Sequence, residues 1–119
     1  MLLIVNCMAI YGTEIPQMSS ALKRMGHEIV VLGGPGDFNR GEIARARYAL
    51  AVEQSEVAVI DTVEGRRSTM QSLVDSAGAH FGEALVISDE PRDRAAADSL
   101  NITTVSPFDF DLEWVGEQV

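Results

Sequence analysis

The chain is poor in cysteine and in basic residues, and both shortages exclude classes of protein. Cys7 is the one cysteine among 119 residues, so an internal disulfide is impossible and a reducing, cytoplasmic compartment is expected. Nine Lys and Arg stand against eighteen Asp and Glu, a formal charge of −9. Nucleic-acid binding needs a basic face, and adsorption to anionic lipid needs basic clusters. We therefore expect neither nucleic acid nor membrane as a partner.

Long hydrophobic runs and aromatic side chains are also scarce. The opening "MLLIVNCMAI" is apolar but short, and no basic residues precede it, which favours a buried strand over a signal peptide or a membrane span. Aromatic residues make up 6% of a chain that is 46% hydrophobic, so the core is expected to be mainly aliphatic. The length and the absence of a linker-like segment predict a single domain over residues 1–119.

Short apolar runs alternate with stretches of helical period. The runs are "LLIVNC" at 2–7, "EIVVLGG" at 28–34, "EVAVID" at 56–61, "ALVIS" at 84–88 and "ITTV" at 102–105. Each is nearly continuously apolar in its middle, as strands buried on both faces of a parallel sheet are. Five strand–helix alternations predict a three-layer αβα sandwich with right-handed crossovers. In such sheets ligands bind beyond the carboxyl ends of the strands.

Polar residues at these strand ends carry a resemblance to a known family. Asp61 ends the third run, Ser88 ends the fourth, and Ser106 follows the fifth. Together with "LKRMGHEIVVL" and "RDRAAADSLNITTVSPFDFDLEWV", this layout resembles the receiver domain of bacterial two-component response regulators. The resemblance implies a flavodoxin-like, receiver-like sheet of five parallel strands in the order 2-1-3-4-5.

The resemblance also assigns roles to individual residues. Asp61 matches the phospho-acceptor and Ser88 the switch hydroxyl, whereas Ser106 replaces the conserved lysine. Asn6 and Cys7 replace the acidic pair that, with Asp61, would hold Mg²⁺, so this metal position is degenerate and we expect it to be empty or to bind Mg²⁺ weakly. No other cofactor is expected. The implied function is a pseudo-receiver that acts through protein contacts, with phosphorylation of Asp61 weak or absent.

The closing segment predicts an interaction surface. Phe108 falls on the apolar stripe of a final predicted helix, whereas Phe110 and Trp114 fall off it. An exposed aromatic pair favours partner binding, and receivers often pair through this face. We therefore expect Phe110 and Trp114 to form an interface, most simply in a homodimer.

A second resemblance leaves an enzymatic alternative open. "ALAVEQSEVAVID" followed by "STMQSLVDSAGAHFGEALVIS" is similar to the nucleoside 2-deoxyribosyltransferase family. It implies a small nucleoside- or nucleotide-binding enzyme in which the nucleophilic glutamate's position falls on or near Ser72, with Asp75 as the nearby carboxylate. This alternative requires a pocket over Asp61 and Asp75, lined by Tyr11 or Arg66. The segment "GGPGD", with Gly33–Gly36, is a further candidate for ligand binding, since its backbone N–H groups could hold a phosphate.

Overall fold

A computed structural model describes residues 1–33, 40–52, 55–57 and 62–113. The strands are β1 (Leu2–Asn6), β2 (Glu28–Gly33), β3 (Ser55–Val57), β4 (Ala84–Ile87) and β5 (Thr103–Val105). The helices are α1 (Ile15–Arg24), α2 (Arg40–Leu50), α3 (Val63–Ser76) and α4 (Pro91–Ser99), with short 3₁₀ turns at Cys7–Ile10 and Phe81–Glu83. The predicted α/β class is confirmed.

All strand pairs are parallel, as the buried apolar runs predict. β1, β2 and β4 bury alternate residues on opposite faces of the sheet: Leu3 and Val5 join one core cluster, whereas Leu2 and Ile4 join the other. Burial on both faces explains why these runs are apolar throughout rather than alternating with polar residues.

The strand order is β3-β2-β1-β4-β5, so the predicted order 2-1-3-4-5 is wrong. β1 pairs directly with β4, and the three-residue β3 pairs along the outer side of β2. The helices account for this order. α1 and α2 contribute to the same core cluster, and α3 and α4 contribute to the other. Right-handed crossovers through α1 and α2 on one face carry the chain from β1 to β2 and on to β3 in one direction. The crossovers through α3 and α4 use the opposite face and add β4 and β5 on the other side of β1.

Gly26 determines where α1 ends. Its φ of 89° lies in the left-handed region that glycine adopts without strain. The Gly26 N–H donates to the Lys23 carbonyl at 3.0 Å, and the His27 N–H donates to the Leu22 carbonyl at 3.1 Å. This is the Schellman arrangement, which satisfies the last carbonyls of the helix and turns the chain into β2.

The segment after β5 corrects the prediction for Phe110. Phe110 is 3% exposed and packs in the core, whereas Phe108 is 68% exposed. The N–H groups of Asp109 and Phe110 both donate to the Ser106 carbonyl, which closes a tight turn where the sequence predicts the start of a helix. Because the turn sets which ring points inward, Phe110 offers no partner surface. Trp114, its predicted interface companion, lies outside the described residues.

Within the described part of the chain, no helix combines the length and apolarity that a membrane crossing requires.

Candidate functional site

A cavity of about 310 Å³ opens at the carboxyl edge of the sheet, where the strand order reverses between β1 and β4. We call it the switch-point crevice. Residues that follow β1, β4 and β5 line it: Asn6, Met8, Ala9, Tyr11, Thr13, Asp89, Glu90, Pro107 and Phe108. Strands on either side of such a reversal send their crossovers to opposite faces of the sheet, which leaves an open space above their ends.

A buried polar network lies at the ends of β1 and β4 and reaches the crevice through Asn6. Asp93 accepts hydrogen bonds from Asn6 Nδ2 at 2.7 Å and from Ser88 Oγ at 2.8 Å, both at Oδ2. Its Oδ1 is 2.6 Å from Arg66 Nη1. Asp93, Arg66 and Ser88 are fully buried, and Asn6 nearly so. We call these four residues the Asp93 network.

Local structure explains how the network is assembled. Pro91 begins α4, which places Asp93 at the third helical position, where a carboxylate interacts favourably with the helix N-terminus. Arg66 lies one turn into α3 and faces α4. Asn6 is the last residue of β1 and Ser88 directly follows β4, so the parallel pairing of Val5 with Ile87 brings them side by side. The network therefore joins two strands to two helices.

Side chains also bind the backbone N–H groups around the crevice. Asn6 Oδ1 accepts from the Met8 N–H at 2.9 Å, and Ser88 Oγ accepts from the Glu90 N–H at 3.0 Å. The Phe108 N–H donates to Ser106 Oγ at 3.3 Å. These short local bonds hold the loops that leave β1, β4 and β5 in defined conformations.

Two carboxylates form one wall of the crevice. Glu90 Oε1 accepts from Arg92 Nε at 2.7 Å and from the Arg92 N–H at 3.3 Å, which caps α4. The Arg92 side-chain hydrogen bond is the main reason that the pKa of Glu90 lies below its usual value, although partial burial opposes the shift. Asp89 accepts from Ser106 Oγ at 3.1 Å and lies 3.7 Å from Arg94 Nη1.

Two exposed aromatic side chains, Tyr11 and Phe108, also line the crevice. The Tyr11 hydroxyl donates to Glu42 on α2, and Glu42 also binds Arg45 at 2.9 Å. The Phe108 ring lies against Gly12: a Cβ added to Gly12 would be 3.7 Å from Phe108 Cε1. The loop after β1 and the turn after β5 thus meet beside the crevice.

The structure brings some of the sequence-predicted residues together and separates others. Asn6 and Ser88 share Asp93, and Ser106 lies nearby against Asp89. Cys7 is fully buried in the core on the side of α2, and a Cβ added to Gly33 would approach its Sγ to 3.5 Å. Cys7 therefore does not line the crevice beside Asn6.

Other predicted positions fall outside the crevice or outside the described residues. Asp61 and residues 34–36 belong to the undescribed segments, so the phospho-acceptor assignment and the "GGPGD" site stay predictions. Ser72 and Asp75 are exposed on α3, and Asp75 lies roughly 18 Å along the helix axis from Val63. The enzymatic alternative places its pocket over Asp61 and Asp75. Tyr11 lines the crevice, but Asp75 does not, and Arg66 belongs to the buried network beside it.

The sequence interpretation missed Asp93 and Glu90. The signal was available in "EPRDR", because a proline that begins a helix places the preceding acid at the N-cap and the acid two residues later at the third position. The partners of Asp93, Arg66 and Asn6, are 27 and 87 residues away in sequence, and no local pattern indicates them. Among the described residues, no group of three or more His, Cys, Asp or Glu side chains is arranged to hold a metal ion.

Comparison with known proteins returned no match: no family model, no curated protein and no solved structure is significantly similar to this chain.

Proposed function

We propose that this chain is a small-molecule-binding module whose ligand occupies the switch-point crevice. The observation that carries the proposal is the position of the cavity, beyond the carboxyl ends of β1 and β4 where the strand order reverses. Open α/β sheets bind their ligands at this point. The volume of about 310 Å³ lies at the lower end of the range of roughly 300–1,000 Å³ for ligand pockets, which favours a small metabolite.

The lining supports a ligand with an apolar body and a few polar groups. Met8, Ala9, Pro107 and Phe108 supply apolar surface, and Glu90 is one of the polar groups that could orient the ligand. Next to them, the Asp93 network holds the ends of β1 and β4 in place, so this part of the site is ordered by contacts of the chain itself. A preformed site binds more tightly because less conformational freedom is lost on binding.

Ligand binding is tested by NMR titration of ¹⁵N-labelled protein with small fragments. We expect shifts concentrated at Met8, Glu90 and Phe108, and weaker binding in Phe108→Ala. Tyr48→Ala is the matched control, because Tyr48 is an aromatic residue on α2 that is 90% exposed and does not line the crevice. Fragment shifts that avoid the crevice, or equal effects of the two variants, would contradict the proposal.

The nucleoside- or nucleotide-binding enzyme remains a narrower form of the same proposal. The crevice, which Tyr11 lines in part, supports binding of a nucleoside rather than of its phosphorylated form. The residues at the position of the family's nucleophile, Ser72 and Asp75, are exposed on α3, so nothing about the crevice supports glycosyl transfer through them. Our proposal therefore covers binding and assigns no reaction.

A receiver-like interaction module is the second candidate. The observation that favours it is the exposed apolar rim of Met8, Tyr11 and Phe108, which a protein partner or a second copy of the chain could cover. Intact mass and sedimentation of the protein with Mg²⁺ and an acyl-phosphate donor test it, beside an Asp61→Ala control. An adduct or a change in oligomer size that Asp61→Ala abolishes would favour this candidate over the first.

A further inference from the structure

Three of the amide donors around the switch-point crevice already have side-chain partners from the chain itself. The N–H groups of Met8, Glu90 and Phe108 donate to the side chains of Asn6, Ser88 and Ser106, respectively. Phosphate sites of α/β proteins use free backbone N–H groups at this edge of the sheet. A phosphorylated ligand would have to displace these side chains before it could bind the same donors.

The N-terminus of α4, which opens at the crevice, is also occupied by a negative charge of the protein. Glu90 caps this helix through the Arg92 N–H. The partial positive charge of a helix N-terminus is the usual place for a ligand phosphate in such folds. Here the Glu90 carboxylate takes that place, and its lowered pKa keeps it ionised at neutral pH.

In the part of the chain that the structure describes, the charged side chains that line the crevice are two carboxylates, Asp89 and Glu90. Each lies beside a guanidinium that is not part of the lining: Arg92 binds Glu90 at 2.7 Å, and Arg94 lies 3.7 Å from Asp89. Within the described residues, Oε1 is the oxygen of Glu90 that accepts the Arg92 hydrogen bonds, which leaves Oε2 for a donor on the ligand.

The apolar part of the lining complements this charge. Tyr11 and Phe108 are aromatic, and aromatic rings attract organic cations as well as apolar groups. A carboxylate pair beside aromatic side chains is therefore suited to a positively charged group joined to an apolar body.

Building on the proposed function, we infer that the switch-point crevice selects a small organic amine with an apolar body, held by Asp89 and Glu90, and excludes phosphorylated ligands. The selectivity follows from three observations: the chain's own side chains occupy the amide donors of Met8, Glu90 and Phe108, the Glu90 carboxylate caps the N-terminus of α4, and the lining, among the described residues, contains carboxylates but no guanidinium.

The test uses three probes that share a phenyl body: 2-phenylethylamine, 2-phenylethanol and phenyl phosphate. Each is titrated into ¹⁵N-labelled full-length chain at constant pH and ionic strength, up to about 10 mM, because ligands this small bind near the millimolar range. We expect crevice shifts for the amine, weaker shifts for the alcohol, and an affinity for the phosphate at least about tenfold below that of the amine.

Two variants locate the source of the selectivity. Asp89→Asn should lower the affinity for the amine several-fold and leave that for the alcohol unchanged, and Glu90→Gln should do the same. Asp98→Asn is the matched control, since Asp98 is an exposed carboxylate at the far end of α4 and its removal changes the net charge equally.

The outcomes separate this inference from the proposed function. If phenyl phosphate or 2-phenylethanol binds the crevice with the same affinity as 2-phenylethylamine, the inferred charge selectivity is wrong, although the proposed ligand binding stands. An effect of Asp98→Asn equal to that of Asp89→Asn would also overturn it, because the preference would then reflect net charge alone. If no probe shifts the crevice residues at the highest concentration, the proposed function fails and the selectivity fails with it.

Discussion

Asp93→Asn should destabilise this protein more than almost any other substitution that keeps the shape of the side chain. The substitution keeps the shape of the side chain but removes the negative charge that faces Arg66 at 2.6 Å. It also replaces one acceptor oxygen with an NH₂ group. Whichever way the amide is turned, an NH₂ group then faces Arg66 or the donors on Asn6 and Ser88.

The size of the expected loss in stability follows from the complete burial of the Asp93–Arg66 ion pair. Both the Asp93 and the Arg66 side chains are fully buried, so water cannot solvate the guanidinium once its counter-charge is gone. Breaking a buried ion pair by removing one partner costs about 3–5 kcal/mol. A domain of this size has a total stability of roughly 5–15 kcal/mol, so the Asn variant should lose a large share of it.

Urea denaturation followed by far-UV circular dichroism measures this loss. The control is Asp98→Asn, an exposed carboxylate on the same helix, for which we expect a change within about 0.5 kcal/mol. Arg66→Met in the Asp93→Asn background should cost much less than Arg66→Met alone, because partners in one network are not additive. A loss in Asp93→Asn no larger than that of the control would refute the importance of the buried charge.

Three further predictions address packing, pH and the backbone. Phe110→Ala should lower the free energy of unfolding by about 3–5 kcal/mol and Phe108→Ala by less than about 1 kcal/mol, since only the first ring is buried; equal losses in denaturant titrations would contradict the assignment of the two rings. Burial, helped by the N-terminal ammonium 3.0 Å away, lowers the pKa of His27 below 6.5. The unfolded chain then binds the proton more tightly than the folded chain, so the free energy of unfolding should rise with pH up to about 6.5 and be lost as pH falls below it. His27→Gln should flatten this dependence in urea midpoints between about pH 5 and pH 7. An unchanged slope in this variant would argue against the role of His27. Gly26→Ala should cost about 1–2 kcal/mol because φ is 89° there, which thermal denaturation would detect as a lower melting temperature.

The sequence by itself determined where the buried strands lie and that a binding site should be sought at the carboxyl edge of the sheet. Continuous apolar runs such as Leu2–Asn6 and Ala84–Ile87 indicate strands buried on both faces, because a half-exposed strand would alternate with polar residues. Parallel strands place their carboxyl ends at one edge, so Asn6 and Ser88 share that edge; that they lie side by side depends on the pairing of β1 with β4, which the predicted order did not contain.

The tertiary structure alone decided the order of the strands and the partners of the buried charges. An apolar stripe shows that α1 and α2 each pack on the sheet, but not that both pack on the same face, and the choice of face sets the strand order. Likewise, "EPRDR" places Asp93 early in a helix, yet its partner Arg66 lies in another helix. Periodicity is a property of neighbours in sequence, whereas strand order and ion pairing depend on how separate elements pack against each other.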